Sequence, residues 1–209
     1  MAFHLIDLDT WDRREYYLHY MQEMVCTYSM NVRLDITPLQ GEKLYPAMLW
    51  LLTDTANQFE QFRTQLTPEG LGVFDTLTPS YTIFNREKET FSVIWTEFSP
   101  DYREFFRRYQ ADVEKYKTAG GFYPKPERPA GCFDVSMVPW LSFTALNINV
   151  YDAGRHLLPV FTMGKAERQE ERTLLPLAIQ VHHAVCDGYH VSRFVQTLQE
   201  KINAFGAGR

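Results

Sequence analysis

The stretch Leu177-Ala-Ile-Gln-Val-His-His-Ala-Val-Cys-Asp-Gly-Tyr-His-Val191 decides the fold. Its opening residues read as a strand that runs out at two histidines, and Asp187-Gly188 supplies turn and helix-cap chemistry. Val191, Phe194, Val195, Leu198, Ile202 and Phe205 then recur at helical spacing, one face of an amphipathic helix that continues towards the end of the chain. A strand ending in titratable side chains just before a helix places them at a corner, where they project into a site.

Near the start of the chain, Asp9-Thr10-Trp11 offers a cap for an N-terminal helix containing Tyr16, Tyr17 and Tyr20. A second helix is expected over 45–65, from the stripe Met48, Leu49, Leu52, Ala56, Phe59 and Phe62, and a third over 100–117, from Tyr102, Phe105, Phe106, Tyr109 and Val113. Strands are expected over 30–37, 80–85 and 90–99, the last two forming a hairpin across Arg86-Glu87-Lys88-Glu89. After a loop rich in Gly and Pro at 120–131, further strands are expected over 144–151, 156–163 and 174–181. So many consecutive strands rule out a purely parallel doubly wound sheet. With no internal repeat or flexible linker, residues 1–209 read as one domain.

The composition is 45% hydrophobic and 15% aromatic, enough apolar mass for a sizeable core and too many large rings for low-complexity disorder. A net charge of −5 and the lack of a basic stripe give no reason to approach nucleic acid or an anionic membrane. Cys26, Cys132 and Cys186 lack CxxC or CxxH spacing, which argues for reduced thiols, against a disulfide framework and against structural zinc. The first residues do not read as a signal peptide, and the longest apolar runs fall short of the ~20 residues that span a bilayer. A cytoplasmic protein is expected.

Four readings compete for the corner. The histidines could be structural, one buried and one exposed. His182, His183, Asp187 and His190 carry metal-ligand side chains, but at no fixed helical spacing and with a turn among them. Cys186 could be a nucleophile, although nothing around it marks an activated thiol. Finally, a histidine held neutral in one tautomer could act as general base, a role worth about 10²–10⁴ in rate, with the carboxylate four residues on orienting it or anchoring its loop.

His182-His183-Ala184-Val185-Cys186-Asp187-Gly188 resembles the HHxxxDG signature of chloramphenicol acetyltransferases, shared as HxxxDG with dihydrolipoamide acyltransferases and other CoA-dependent acyltransferases. The resemblance extends in order along the chain, through Trp11-Asp-Arg-Arg-Glu15, Asp35-Ile-Thr37, Leu44-Tyr-Pro46, Asn57-Gln-Phe59, Thr90-Phe-Ser92, Val135-Ser-Met-Val-Pro-Trp140, Asn147-Ile-Asn-Val150 and Phe161-Thr-Met-Gly-Lys165. It implies an α/β fold, a two-layer sandwich with a mixed, largely antiparallel β-sheet covered by helices. It also implies a homotrimer with active sites at subunit interfaces.

The implied activity is acetyl transfer from acetyl-CoA to the 3-hydroxyl of chloramphenicol, without metal or acyl-enzyme. His183 would be the base, its Nδ1 bonded to its own carbonyl. Asp187 would pair with Arg13, a bond whose loss costs about 3–5 kcal/mol if fully buried and ~0–1 kcal/mol if solvated. Ser136 would donate to the oxyanion, and Thr162 would help to hold an ordered water. Lys43, Lys165 and Trp140 fall at cofactor-contact positions; Ala166 stands where some members carry an aromatic over the adenine. Tyr20, Met24, Tyr28, Phe91 and Ile148 would line the drug pocket, with Tyr28 and Tyr189 where Phe is common. The rival expectations are a same-fold acetyltransferase for another alcohol and a non-catalytic trimeric CoA- or drug-binding protein.

Overall fold

The computed structural model describes residues 2–150, 152 and 154–207. The chain runs β1 (Phe3–Leu5), α1 (Arg14–Leu18), β2 (Thr27–Asp35), α2 (Leu44–Ala56), α3 (Glu60–Arg63), β3 (Thr64–Thr67), β4 (Gly70–Phe74), β5 (Thr78–Asn85) and β6 (Thr90–Trp95). It continues through α4 (Tyr102–Tyr116), β7 (Cys132–Met137), β8 (Val160–Met163), β9 (Glu167–Gln169), β10 (Arg172–His182) and α5 (Gly188–Ala207). A main sheet has the order β2-β10-β8-β7-β5-β6, with β9 on β10, and a small sheet has the order β1-β4-β3. β7 runs parallel to β5 and β8, whereas the other pairs are antiparallel. This is the mixed, largely antiparallel sheet under helices that the resemblance implied.

β10 is buried from Leu175 to His182, so its apolar residues run on with little alternation, as expected of a central strand. Pro176 is tolerated there because β8 ends with Met163 opposite Leu177 and β9 begins opposite Leu174; in that gap its carbonyl accepts the Gly164 N–H at 2.9 Å and no ladder partner calls for the N–H it lacks. Tyr81, Val135, Phe161 and Ile179 join the core with α5, where Phe194 stacks on Phe161 at 5.3 Å and on Phe62 at 4.6 Å between ring centres. Successive strand residues alternate faces, so the register puts Asn31, Ala178, Thr162 and Ser136 in one row on the opposite face.

Several sequence expectations shift. Helix α1 begins only at Arg14 and passes into a π turn over His19–Glu23, because Asp7 rather than Asp9 caps the preceding turn, accepting the Asp9 N–H and the Thr10 hydroxyl. The helix expected over 45–65 stops at Ala56. There the Asn57 side chain turns away to accept the Leu77 N–H at 2.7 Å, and after a short α3 the chain becomes β3. The alternation over 144–150 does not make a strand; the Leu146 N–H is taken by the Asn31 side chain instead of a neighbouring strand, and Tyr151 lies outside the described residues. In 156–163 only Val160–Met163 is strand, since the Leu157 and Leu158 N–H groups both go to Gln65 Oε1. β1, β3, β4, β7 and β9 were not foreseen.

Candidate active site

Strand β10 ends at His182, and the turn that follows is fastened at each residue. The Ala184 N–H donates to His182 Nδ1 at 3.1 Å, the Cys186 N–H to the His182 carbonyl at 3.0 Å and the His183 N–H to the Cys26 carbonyl at 2.8 Å. The His183 ring lies flat on Tyr20, 4.4 Å between centres and 9° between planes, with Tyr28 against it edge-on at 5.2 Å. The Tyr28 hydroxyl donates to the Cys186 carbonyl at 3.3 Å. His183 does not make the expected bond from Nδ1 to its own carbonyl: Nδ1 is buried without a hydrogen-bond partner, and the carbonyl accepts from Arg13.

Arg13 spans the turn with one guanidinium. Its Nη2 reaches the His183 carbonyl at 3.1 Å, Nε the Ala184 carbonyl at 3.3 Å and Nη1 Asp187 Oδ2 at 2.9 Å. Side-chain exposure is 15% for Arg13 and 35% for Asp187, so the pair is neither fully buried nor a solvated surface pair. Asp187 also caps α5, its Oδ1 accepting the Tyr189 N–H at 3.1 Å, while its own N–H donates to His190 Nδ1 at 3.2 Å. Burial pushes the Asp187 carboxyl up, but the hydrogen bond and charge of Arg13, with the His190 backbone N–H, outweigh it and hold the group below the usual carboxylate range. It is an anchor for the loop rather than a partner of the His183 ring.

The other titratable groups at the corner are held uncharged. Burial, then Asp187, pushes the Cys186 thiol up to about 12, so it carries no thiolate at neutral pH. Burial also pushes the His182 and His190 rings down, favouring their neutral forms. Among the described residues, no group of three or more His, Cys, Asp or Glu converges to hold a metal ion.

A second constellation lies elsewhere on the sheet. Ser136 on β7 and Thr162 on β8 are paired in register, their hydroxyls 2.9 Å apart. Ser136 lines a cleft of about 210 Å³ with Thr82, Asp134, Phe122 and Tyr123, and Phe91 packs on Phe122 at 5.6 Å. Thr162 lies opposite Ala178, five residues before His183 on β10. At about 3.3 Å per residue this is roughly 16 Å along the sheet, far beyond the ~3 Å of a hydrogen bond. Within one chain, therefore, His183, Asp187, Arg13, Tyr20 and Tyr28 come together, and Ser136 and Thr162 come together, but the two groups stay apart.

The remaining candidates flank these groups. Met24 is 60% exposed and lies two residues before Cys26, whose carbonyl holds His183, while Ile148 is half-buried in the irregular segment before residue 151. Trp140 packs on Phe84 at 4.8 Å and lines a cleft of about 300 Å³ with Tyr45, Thr82, Tyr109, Lys117 and Met137, the last adjacent to Ser136. Lys43 and Lys165 are exposed, and their neighbours Glu42, Leu44 and Ala166 line another cleft of about 320 Å³. Sequence reasoning missed Phe122 and Tyr123. Their signal was two adjacent rings inside a Gly/Pro loop, where no core helix or strand claimed them.

Comparison with known proteins is consistent along the chain. A family model described as chloramphenicol acetyltransferase matches residues 1–199. A chloramphenicol acetyltransferase of Campylobacter coli is 48% identical over 206 residues, covering 97% of this chain and all of the relative. One of Clostridium perfringens is 46% identical over 207 residues, covering 98% of this chain and all of the relative. A solved structure named chloramphenicol acetyltransferase superimposes with a TM-score of 0.83 at 21% identity, covering 96% of this chain and all of the other. A structure of Azotobacter vinelandii dihydrolipoamide acetyltransferase gives 0.65 at 19% identity, covering 92% of this chain and 88% of the other.

Proposed function

The chain belongs to the chloramphenicol acetyltransferase family, which is an acyltransferase family, and from that premise we propose that it acetylates the 3-hydroxyl of chloramphenicol with acetyl-CoA, His183 acting as general base. The observation that carries this reading is the fixed imidazole of His183, stacked on Tyr20 with its backbone held by Cys26 and Arg13. With Nδ1 turned inward, Nε2 is the nitrogen left to meet a substrate.

In this reading Nε2 takes the proton of the drug hydroxyl as its oxygen attacks the thioester carbonyl. The Ser136 hydroxyl donates to the oxyanion that forms, and Thr162, 2.9 Å from it, orients that hydroxyl and an ordered water. The imidazolium then returns its proton to the departing thiolate. The balance requires no metal and no covalent acyl-enzyme. Arg13 and Asp187 touch no reacting atom; they aim the loop. The cleft of Trp140, Tyr45 and Met137 shares Thr82 with the cleft that holds Ser136 and would take a pantetheine arm, and Lys43 and Lys165 offer point charge to a phosphate. Tyr20, Met24, Tyr28, Phe91 and Ile148 would enclose the drug.

The separation of His183 from Ser136 supports an assembly in which one copy supplies the base and its neighbour the oxyanion donor, a homotrimer closed about a threefold axis. Such an enzyme fits the cytoplasm, and among the described residues no helix is long and apolar enough to cross a membrane. The test is release of free CoA, followed with a thiol reagent in the presence of acetyl-CoA and chloramphenicol. Wild type should release thiol only when the drug is present; His183→Ala should lose about 10²–10⁴ in turnover, and Ser136→Ala about 10²–10³. Wild-type turnover by His183→Ala would overturn the reading, and drug binding without turnover by the wild type would favour a binding protein.

A further inference from the structure

We propose that His190 is a positioning residue for the acetyl-transfer loop, whose ring Nδ1 locks Asp187 and, through Asp187 and Arg13, sets the place of His183. The inference rests on the acetyl-transfer reading above. It starts from a reciprocal arrangement at the start of α5. Asp187 is the N-cap and accepts the Tyr189 N–H, while the third helical residue, His190, reaches back to accept the Asp187 N–H at 3.2 Å. That is the logic of a capping box, in which Glu or Gln usually occupies the third position.

A glutamate there would set a second carboxylate beside Asp187, whose Oδ1 lies only 2.9 Å from His190 Nδ1. Like charges so close would compete for Arg13 and loosen its hold. An imidazole sets no second negative charge there: its Nδ1 lies within reach of both the Asp187 N–H at 3.2 Å and Oδ1 at 2.9 Å, and accepts from the first or donates to the second according to tautomer. With His190 in place, the N–H of Asp187 and both of its carboxylate oxygens are engaged, by His190, Tyr189 and Arg13 in turn. The same guanidinium holds the His183 carbonyl, so freedom gained at Asp187 passes directly to the backbone of the base. His190 also lines a cavity of about 270 Å³ with Arg13, Trp11, Asp12, Glu60 and Val185, and touches no reacting atom in this scheme.

The experiment compares His190→Ala, His190→Gln and His190→Glu with wild type, measuring kcat and both KM values by thiol release, with thermal unfolding alongside. His190→Ala should lower kcat by roughly tenfold, the factor that about 1.4 kcal/mol of transition-state stabilisation represents, with KM for either substrate nearly unchanged. His190→Gln should recover most of that loss, whereas His190→Glu should resemble Ala. A helix cap alone would be served equally well by Gln and Glu, so equal kcat values for those two, or wild-type kcat in His190→Ala, would overturn the proposal. Should His190→Ala fail to fold, the Gln and Glu pair decides. A wild type that releases no thiol sinks the functional reading and this role with it; an active wild type with unaltered variants sinks this role alone.

Discussion

At the scale of single residues, the corner depends on which groups stay uncharged. His182 accepts the Ala184 N–H, His190 accepts the Asp187 N–H, and His156 keeps its Nε2 buried without a partner; all three are pushed below the ordinary histidine range, chiefly by burial. Their sign is common. Between the depressed folded value and about 6.5 the unfolded chain binds protons that the folded chain refuses, so stability is complete above that pH and declines as pH falls. Asp187, held low, adds to the decline only in the more acidic range below about 4. The urea midpoint should therefore drop between roughly pH 7.5 and 5.5, a window in which surface carboxylates scarcely titrate. A midpoint that is flat or rises over that window would contradict the assignment of these rings as buried and neutral. The loop was legible in the sequence because its logic is local, His183 to Asp187 to α5 within a few residues. Ser136 was not, because its partner Thr162 lies across a strand pair, and a lone serine in a β-forming run carries no mark of its own.

At the scale of elements, the sequence showed where helices and strands begin more clearly than where they belong. The six residues of β7, Cys-Phe-Asp-Val-Ser-Met, alternate between core and open face, yet a run so short resembles the Leu-Asn-Ile-Asn-Val of 146–150, which is not a strand at all. The difference is set by long-range pairing: β7 finds β5 and β8 on either side, whereas Leu146 meets a side chain of β2. The small sheet shows the same dependence. Gly72 of β4 is there because β1 crosses so closely that a Cβ would lie 2.5 Å from the His4 carbonyl and from the Phe3 ring. Gly72→Ala must push β1 away, and should cost about 1–3 kcal/mol in urea unfolding, in the range of other overpacking changes. Because β1 is remote from Ser136 and His183 in the sheet order, chloramphenicol-dependent thiol release per folded molecule should stay within about twofold, an expectation for a site that shares no contact with it. No change in unfolding would mean that β1 is not held on β4 as described.

At the scale of the whole molecule, the question is why a complete fold leaves its chemistry in two halves. Helices cover one face of the sheet, and the row Asn31, Ala178, Thr162 and Ser136 lies on the other, where Ala178 and Thr162 are buried within the chain and Asn31 and Ser136 are half-exposed. Gln180 and His182 sit there too, with Gln180 Oε1 and His182 Nε2 buried and without hydrogen-bond partners in the single chain. Those two atoms are already shut off from solvent within the chain; what this face leaves open to another copy is the half-exposed Asn31 and Ser136, which the proposed trimer would cover. The arrangement makes a prediction that no single-chain site could satisfy. His183→Ala and Ser136→Ala proteins, each inactive alone, are unfolded together in equal amounts and refolded. If each site takes His183 from one protomer and Ser136 from its neighbour, one site in about four combines an intact histidine with an intact serine by random assembly around a closed ring. Thiol release should then recover to about a quarter of the wild-type value, and it should scale with the product of the two mole fractions as the mixing ratio is varied. Were both groups to act within one protomer, every site would carry one lesion or the other at any ratio, and the refolded mixture would be as inactive as its parts.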